Sequence, residues 1–188
     1  MRQTDRFLLI ALTSMALTSF CADRAAAAEP DTASLLQPLQ VFAAAYNRAD
    51  CTFPADAYTD DATTIDEFAP FSWQGPRAAR TWYAATTSCD KESDYQQFLA
   101  EHQVLTLGAL ATVRQEGNHA FVVIATKLTF QAKGRTYLQH LYWTVSEIQA
   151  AQGWRIDAQG WALVDEAPMK IDVNNARYVE NGERSSDR

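Results

Sequence analysis

Apolar positions keep a helical period in the first part of the chain and a strand period from His102 onward. In residues 35–48, LLQPLQVFAAAYNR, the residues Leu35, Leu39, Phe42, Ala43 and Tyr46 fall at i, i+4, i+7, i+8 and i+11, one stripe of a helix. Pro38 fits only a first turn, so this helix is expected to start at Leu35 or Leu36. A short strand, ATTID, follows at 62–66, and then the turn APFSWQG. Pro76 after Gly75 stands where a first helical residue belongs. It predicts a second helix to about Ser88, with Ala79, Trp82, Tyr83 and Thr86 inward. The polar break CDKESD leads to a short helical stretch, YQQFLAEH.

Four long strands are expected next, at 103–114, 119–132, 135–148 and 154–164, separated by the turn-like EGN, KG and AAQG. HAFVVIATKLTFQA has the β-branched and aromatic content of a half-buried strand. Helices first and an antiparallel meander second describe an α+β domain, with about three N-terminal helices on one face of a curved sheet. From residue 165 the sequence is polar and without sustained period, which reads as a loosely ordered tail.

The beginning of the chain changes the picture of its address. Arg2 and Arg6 precede an apolar run at 7–20 and the small-residue stretch AAAAEP, the layout of a secretory signal peptide over residues 1–28. Cys21 as a lipoprotein cysteine is opposed by the bulky Phe20 before it, and an uncleaved anchor has no second apolar segment to support it. Export to the periplasm or medium follows, with no membrane attachment after cleavage. Without its three basic and two acidic leader residues, the chain keeps 13 Lys+Arg and 21 Asp+Glu, a net charge of −8. That balance, with no basic cluster, argues against nucleic acid and anionic membrane surfaces. The domain is then 29–164. Cys51 and Cys89 remain in an oxidising compartment, where a bridge is the expected state and two buried thiols the alternative.

The order of helix, DDAT strand, W-x-G turn, helix and a meander ending in GWRI resembles the nuclear transport factor 2-like superfamily. It is most similar to the SnoaL-like secreted bacterial proteins of unknown function. The likeness is carried by IDEFAPFSWQG at 65–75, VLTLG at 104–108, GNHAFVVIATKLTFQAKG at 117–134, WTVSEI at 143–148 and GWRIDAQGWAL at 153–163. The resemblance implies a cone, a strongly bent sheet wrapped on helices around a mostly apolar cavity, and frequent dimerisation through the sheet. It does not fix a function, because this fold carries isomerases, dehydratases, cyclases and non-catalytic modules.

Laid on the ketosteroid isomerase pattern, DDATTID puts Asp66 where that family keeps its general base. The family's oxyanion-hole tyrosine falls at Phe42 and its protonated acid at Thr144, so both strong donors are missing. His140 and Tyr142 share a face with Thr144 by alternation, and Arg155 shares one with Asp157. Three His without ligand spacing make no zinc pattern, and no phosphate loop, GxSxG elbow or dinucleotide fingerprint occurs. No cofactor is expected.

Two readings stay open. In the first, a small apolar molecule is held by polar contacts from Asp66, His140, Tyr142 and Thr144 and by a wall of Phe42, Trp82, Trp143 and Trp161, with Asp66 able to run cofactor-free isomerisation, dehydration or cyclisation. In the second, the chain is a non-catalytic homodimeric interaction module, and Asp66 only hydrogen-bonds N–H groups of its own turn. Asp60 and Asp61 read as surface caps, and Glu67 points away from Asp66.

Overall fold

A computed structural model describes residues 31–87, 89, 101–132, 134–172 and 177–179. The signal-peptide segment and most of the YQQFLAEH stretch lie outside the described residues. Helix α1 spans Thr32–Arg48, a 3₁₀ turn Ala55–Ala57, strand β1 Tyr58–Ile65, β2 Ser72–Trp73 and α2 Ala78–Thr86. Four long strands follow, β3 Glu101–Glu116, β4 His119–Ala132, β5 Arg135–Ala150 and β6 Gly153–Pro168. Two short strands, β7 Lys170–Asp172 and β8 Arg177–Val179, pair with each other.

The meander forms as its turns and alternation dictate. Gly117 (φ +59°) and Gly134 (φ +70°) supply the left-handed backbone that tight hairpins need. The six-stranded sheet runs β2-β1-β6-β5-β4-β3. Its one parallel pair is β1 on β6, Tyr58 opposite Ile156 and Ile65 opposite Gly160. β1 lies between the two helices in sequence and closes against the last long strand, and both helices pack on one face of the sheet. On that inner face Leu35, Leu39 and Phe42 of α1 meet Val122, Trp143, Val145 and Ile156, all fully buried. Burying each such side chain contributes about 1.5–3 kcal/mol.

Two expectations, the starts of the helices, are corrected. Helix α1 starts at Thr32, not at Leu35, because Asp31 caps it: its carboxylate accepts from Ser34 N (3.4 Å) and its carbonyl from Leu35 N (3.2 Å). Pro38 therefore lies in the second turn, an interior position that costs the helix a hydrogen bond. The buried stripe that Pro38 joins outweighs that loss. Helix α2 starts at Ala78, not at Pro76, since Gly75, Pro76 and Arg77 form the preceding turn and Arg77 adopts φ +68°. Among the described residues the helical layer holds two α-helices and one 3₁₀ turn.

At the other end, β6 runs four residues beyond Val164 because its ladder with β5 continues to Tyr137 opposite Pro168. Residues 165–168, expected to open the polar tail, are thus strand. No helix among the described residues is long and apolar enough to cross a membrane.

Candidate functional site

The inner face carries a connected group of aromatic rings, with Phe42 at its centre. Phe42 lies 4.9 Å from Trp143, 5.8 Å from Trp82 and 6.1 Å from Trp161, ring centre to ring centre. Trp143 and Trp161 are cross-strand partners on β5 and β6, which stacks their rings at 4.7 Å and 11°. Trp82 of α2 covers the other side of Trp161 at 6.0 Å and 20°. The expected wall of Phe42, Trp82, Trp143 and Trp161 is therefore one assembly, and at these separations each ring pair adds to its area burial.

Asp66 sits against it, just after β1. Its side chain is 9% exposed. The turn that follows folds back so that Asp66 N donates to Phe71 O at 3.2 Å. One carboxylate oxygen accepts from Trp82 Nε1 and the other from Glu67 N, each at 2.7 Å. Burial pushes the carboxyl up to about 6, against the lowering pull of the Trp82 indole and the Glu67 amide; the neighbouring Glu67 charge adds to the rise. At neutral pH such a group is mostly ionised, and its conjugate acid is within easy reach. Asp66 thus holds one backbone N–H of its own turn and, beyond that, ties the turn to α2.

The indole hydrogen bond gives a direct check. Trp82→Phe keeps the ring stack and removes the donor. Asp66 is then expected to titrate above about 6, seen in its side-chain carbonyl ¹³C shift. The variant should also lose about 1–3 kcal/mol by urea unfolding. An unmoved titration would mean that the indole does not hold the carboxylate.

Behind the rings lies a polar knot that the sequence did not reveal. Gln159 Oε1 accepts from Tyr58 Oη (2.9 Å) and Trp143 Nε1 (3.1 Å), while its Nε2 donates to Thr64 Oγ1 (3.0 Å). All four residues are buried. Gln159 faces inward because β6 bulges at Asp157, with Ser146 opposite Ala158 but Glu147 opposite Ile156. The bulge switches the inward set from Trp154 and Ile156 to Gln159 and Trp161, a shift that alternation alone misses.

Two donors in the aromatic group, Tyr83 Oη and Trp161 Nε1, are buried without an acceptor among the described residues. A third group in that condition is Glu147, fully buried on β5 with neither oxygen hydrogen-bonded. Its cross-strand neighbours are Ala120 and Ile156. It lies four residues, about 13 Å, along β5 from Trp143. Burial alone pushes its carboxyl up to about 8.

His140, Tyr142 and Thr144 are not part of this site. Trp143 and Val145 point inward, so the pleat turns their alternate neighbours to the outer face. Tyr142 is 43% exposed, Thr144 is half-buried, and His140 Nδ1 pairs with Asp165 Oδ1 at 2.7 Å across the outer face. Arg155 and Asp157 are outward too, bonded to Tyr58 O and Thr59 Oγ1. Asp60 and Asp61 are exposed positions within β1, not caps. Glu67 does turn away, accepting Leu163 N at 3.1 Å. The Cys51–Cys89 bridge is formed, S–S 2.08 Å. Among the described residues no group of three or more His, Cys, Asp or Glu is arranged to hold a metal ion.

No protein-family model matches the sequence, and no curated protein matches it either. Solved structures do. A protein from Novosphingobium aromaticivorans, described as nuclear transport factor 2-like with a cystatin-like fold, superposes with a TM-score of 0.56 at 18% identity, over 72% of this chain and 82% of its own. This is the nuclear transport factor 2-like fold. The same cone recurs in the hexachlorocyclohexane dehydrochlorinase of Novosphingobium barchaimii, TM-score 0.59 at 10% identity over 73% and 88% of the two chains. It also recurs in a ketosteroid isomerase-like protein from Erwinia carotovora atroseptica, TM-score 0.54 at 18% identity over 73% and 98%. At these identities the nuclear transport factor 2-like likeness is one of architecture.

Proposed function

We propose that the protein binds a small apolar molecule against the aromatic inner face and that Asp66 performs cofactor-free acid–base chemistry on it, of the isomerase or dehydratase kind. The observation that carries this reading is the buried Asp66 carboxyl beside Trp82, raised to about 6. A base of that strength removes a proton from carbon more readily than a solvated aspartate, and an indole donor fixes its direction. Solved neighbours named for a dehydrochlorinase and a ketosteroid isomerase-like protein support the class, since an elimination of HCl and an isomerisation both need no redox step. Export through residues 1–28 belongs to the same proposal, and the bridge between Cys51 and Cys89 suits an oxidising compartment.

The test pairs a titration with a variant. In the oxidised protein Asp66 is expected to titrate near 6, and Asp66→Asn to lose turnover of an active substrate by at least a hundredfold, or to change ligand affinity. An Asp66 that titrates in the ordinary carboxylate range, together with unaltered ligand binding in Asp66→Asn, removes the proposal.

A second reading has its own support. The outer face of the sheet and its rim leave Ile65, Phe121 and Tyr142 between 42% and 57% exposed, which suits a homodimeric, non-catalytic module. A native mass spectrum separates the two. A retained small molecule favours the ligand site, and a ligand-free dimer favours the interaction module.

A further inference from the structure

This inference rests on the small-molecule reading of the Asp66 site and concerns what that molecule must carry. Three indoles stack on the inner face in the order Trp82, Trp161, Trp143, at 6.0 and 4.7 Å. The outer two have acceptors for their N–H groups. Trp82 donates to Asp66 Oδ2 at 2.7 Å and Trp143 to Gln159 Oε1 at 3.1 Å. The middle one, Trp161 Nε1, is shielded from solvent and has no acceptor among the described residues.

The stacking angles make that lack consequential. An indole N–H lies in the plane of its ring, and both neighbouring rings are nearly parallel to Trp161, at 20° and 11°. The N–H therefore points past their faces and receives nothing from their π clouds. Buried donors without partners are uncommon, and each calls for an explanation. Trp161 differs from its neighbours in a second way. Trp82 and Trp143 are 3% and 0% exposed, whereas Trp161 is only half-buried. The unsatisfied indole is thus also the one a molecule from solvent meets first.

We propose that Trp161 is the hydrogen-bond donor of the site and selects a flat apolar molecule bearing a carbonyl-type acceptor. The exposed part of Trp161 receives the ligand body. A side-chain adjustment of the kind common on binding then brings Nε1–H onto the acceptor. Trp82 carries Asp66 on the other side of the same stack, so a ligand held by Trp161 is presented towards that carboxylate. A hydrocarbon of equal shape gains the apolar contact without the hydrogen bond. A carboxylate ligand gains the hydrogen bond but meets the charge of Asp66.

The experiment compares 1-tetralone with tetralin, two bicyclic probes that differ by one carbonyl oxygen. They are titrated into ¹⁵N-labelled oxidised protein while the assigned tryptophan Nε1–H resonances are followed. 1-Tetralone is expected to move the Trp161 Nε1–H resonance downfield, as a new hydrogen bond does, and tetralin to give only the smaller ring-current shift of its apolar contact. Trp161→Phe, which keeps an aromatic ring in the stack and removes the N–H, is expected to lose roughly tenfold more affinity for 1-tetralone than for tetralin, relative to the native protein. If 1-tetralone moves the Trp161 resonance no further than tetralin does, or if Trp161→Phe binds it as tightly as the native protein, the donor role is overturned and the small-molecule reading stands. If neither probe binds up to its solubility limit, the small-molecule reading falls, and this inference with it. Should Trp161→Phe fail to fold, the resonance titration of the native protein decides alone.

Discussion

Glu147→Leu is expected to stabilise the protein by about 3 kcal/mol at pH 7 and to flatten its stability above pH 6. The carboxyl is fully buried on β5 between Ala120 and Ile156, and neither oxygen has a partner among the described residues. Its folded-state value of about 8 lies above the ordinary 4.5 that the unfolded chain retains. Below pH 4.5 both states hold the proton, and the group carries no pH-linked penalty. As pH rises from there, only the unfolded state releases the proton, so stability falls by about 1.4 kcal/mol per pH unit until the folded state also ionises near 8. Asp66, raised to about 6, contributes a slope of the same sign, but that slope is spent by pH 6. Urea unfolding between pH 6 and pH 8 therefore isolates Glu147. The native protein should lose stability across that window, while Glu147→Leu and the always-neutral Glu147→Gln should not. A variant that keeps the native slope would show that Glu147 ionises freely and that the carboxyl is not sealed in.

The second large effect belongs to the disulfide. Cys51 follows α1 and Cys89 follows α2, and the bridge closes a loop with a sequence separation of 38 that contains β1, β2, α2 and the Asp66 turn. In the chain-entropy account a loop of this length is worth about 3–4 kcal/mol, so the Cys51→Ala/Cys89→Ala pair should lower the urea midpoint accordingly. A local consequence should accompany the global one. With α2 released at its C-terminal end, the Trp82–Asp66 hydrogen bond should open more often, and hydrogen exchange at Trp82 Nε1 should speed up by more than at Trp143 Nε1. Equal acceleration at the two indoles would mean that the bridge acts on overall stability alone and does not brace the site.

The meander was legible because each of its strands is bounded by a turn signal and carries its own alternation. Asp66 was legible for a different reason, since a carboxylate ending a short strand before an aromatic turn has few places to go. What failed was parity. Naming Trp143 as a wall residue already forces Tyr142 and Thr144 to the outer face, and His140 with them, so those four could not all serve one ligand. The same alternation, followed through WTVSEI, would have found Glu147 on the inner face beside Val145. Gln159 lay beyond this kind of reading. Its direction depends on the bulge at Asp157, where β6 gains a residue against β5, and a bulge has no fixed spelling in sequence. The start of α1 was misplaced because the proline rule was weighed and the Asp31 cap was not.

The parallel seating of β1 on β6 sets an order in time as well as in space. Thr59 and Asp157, which join these strands, stand 98 positions apart, whereas β3, β4 and β5 each pair with their immediate successor across a tight turn. Contacts between sequence neighbours close quickly, and a distant pair must wait for the entropy of its long loop to be overcome. The hairpins of the meander can therefore form while β1 is still searching. Asp66, which follows β1, acquires its surroundings only when that last strand slots into place, and until then the chain has a sheet but its carboxyl is still in water.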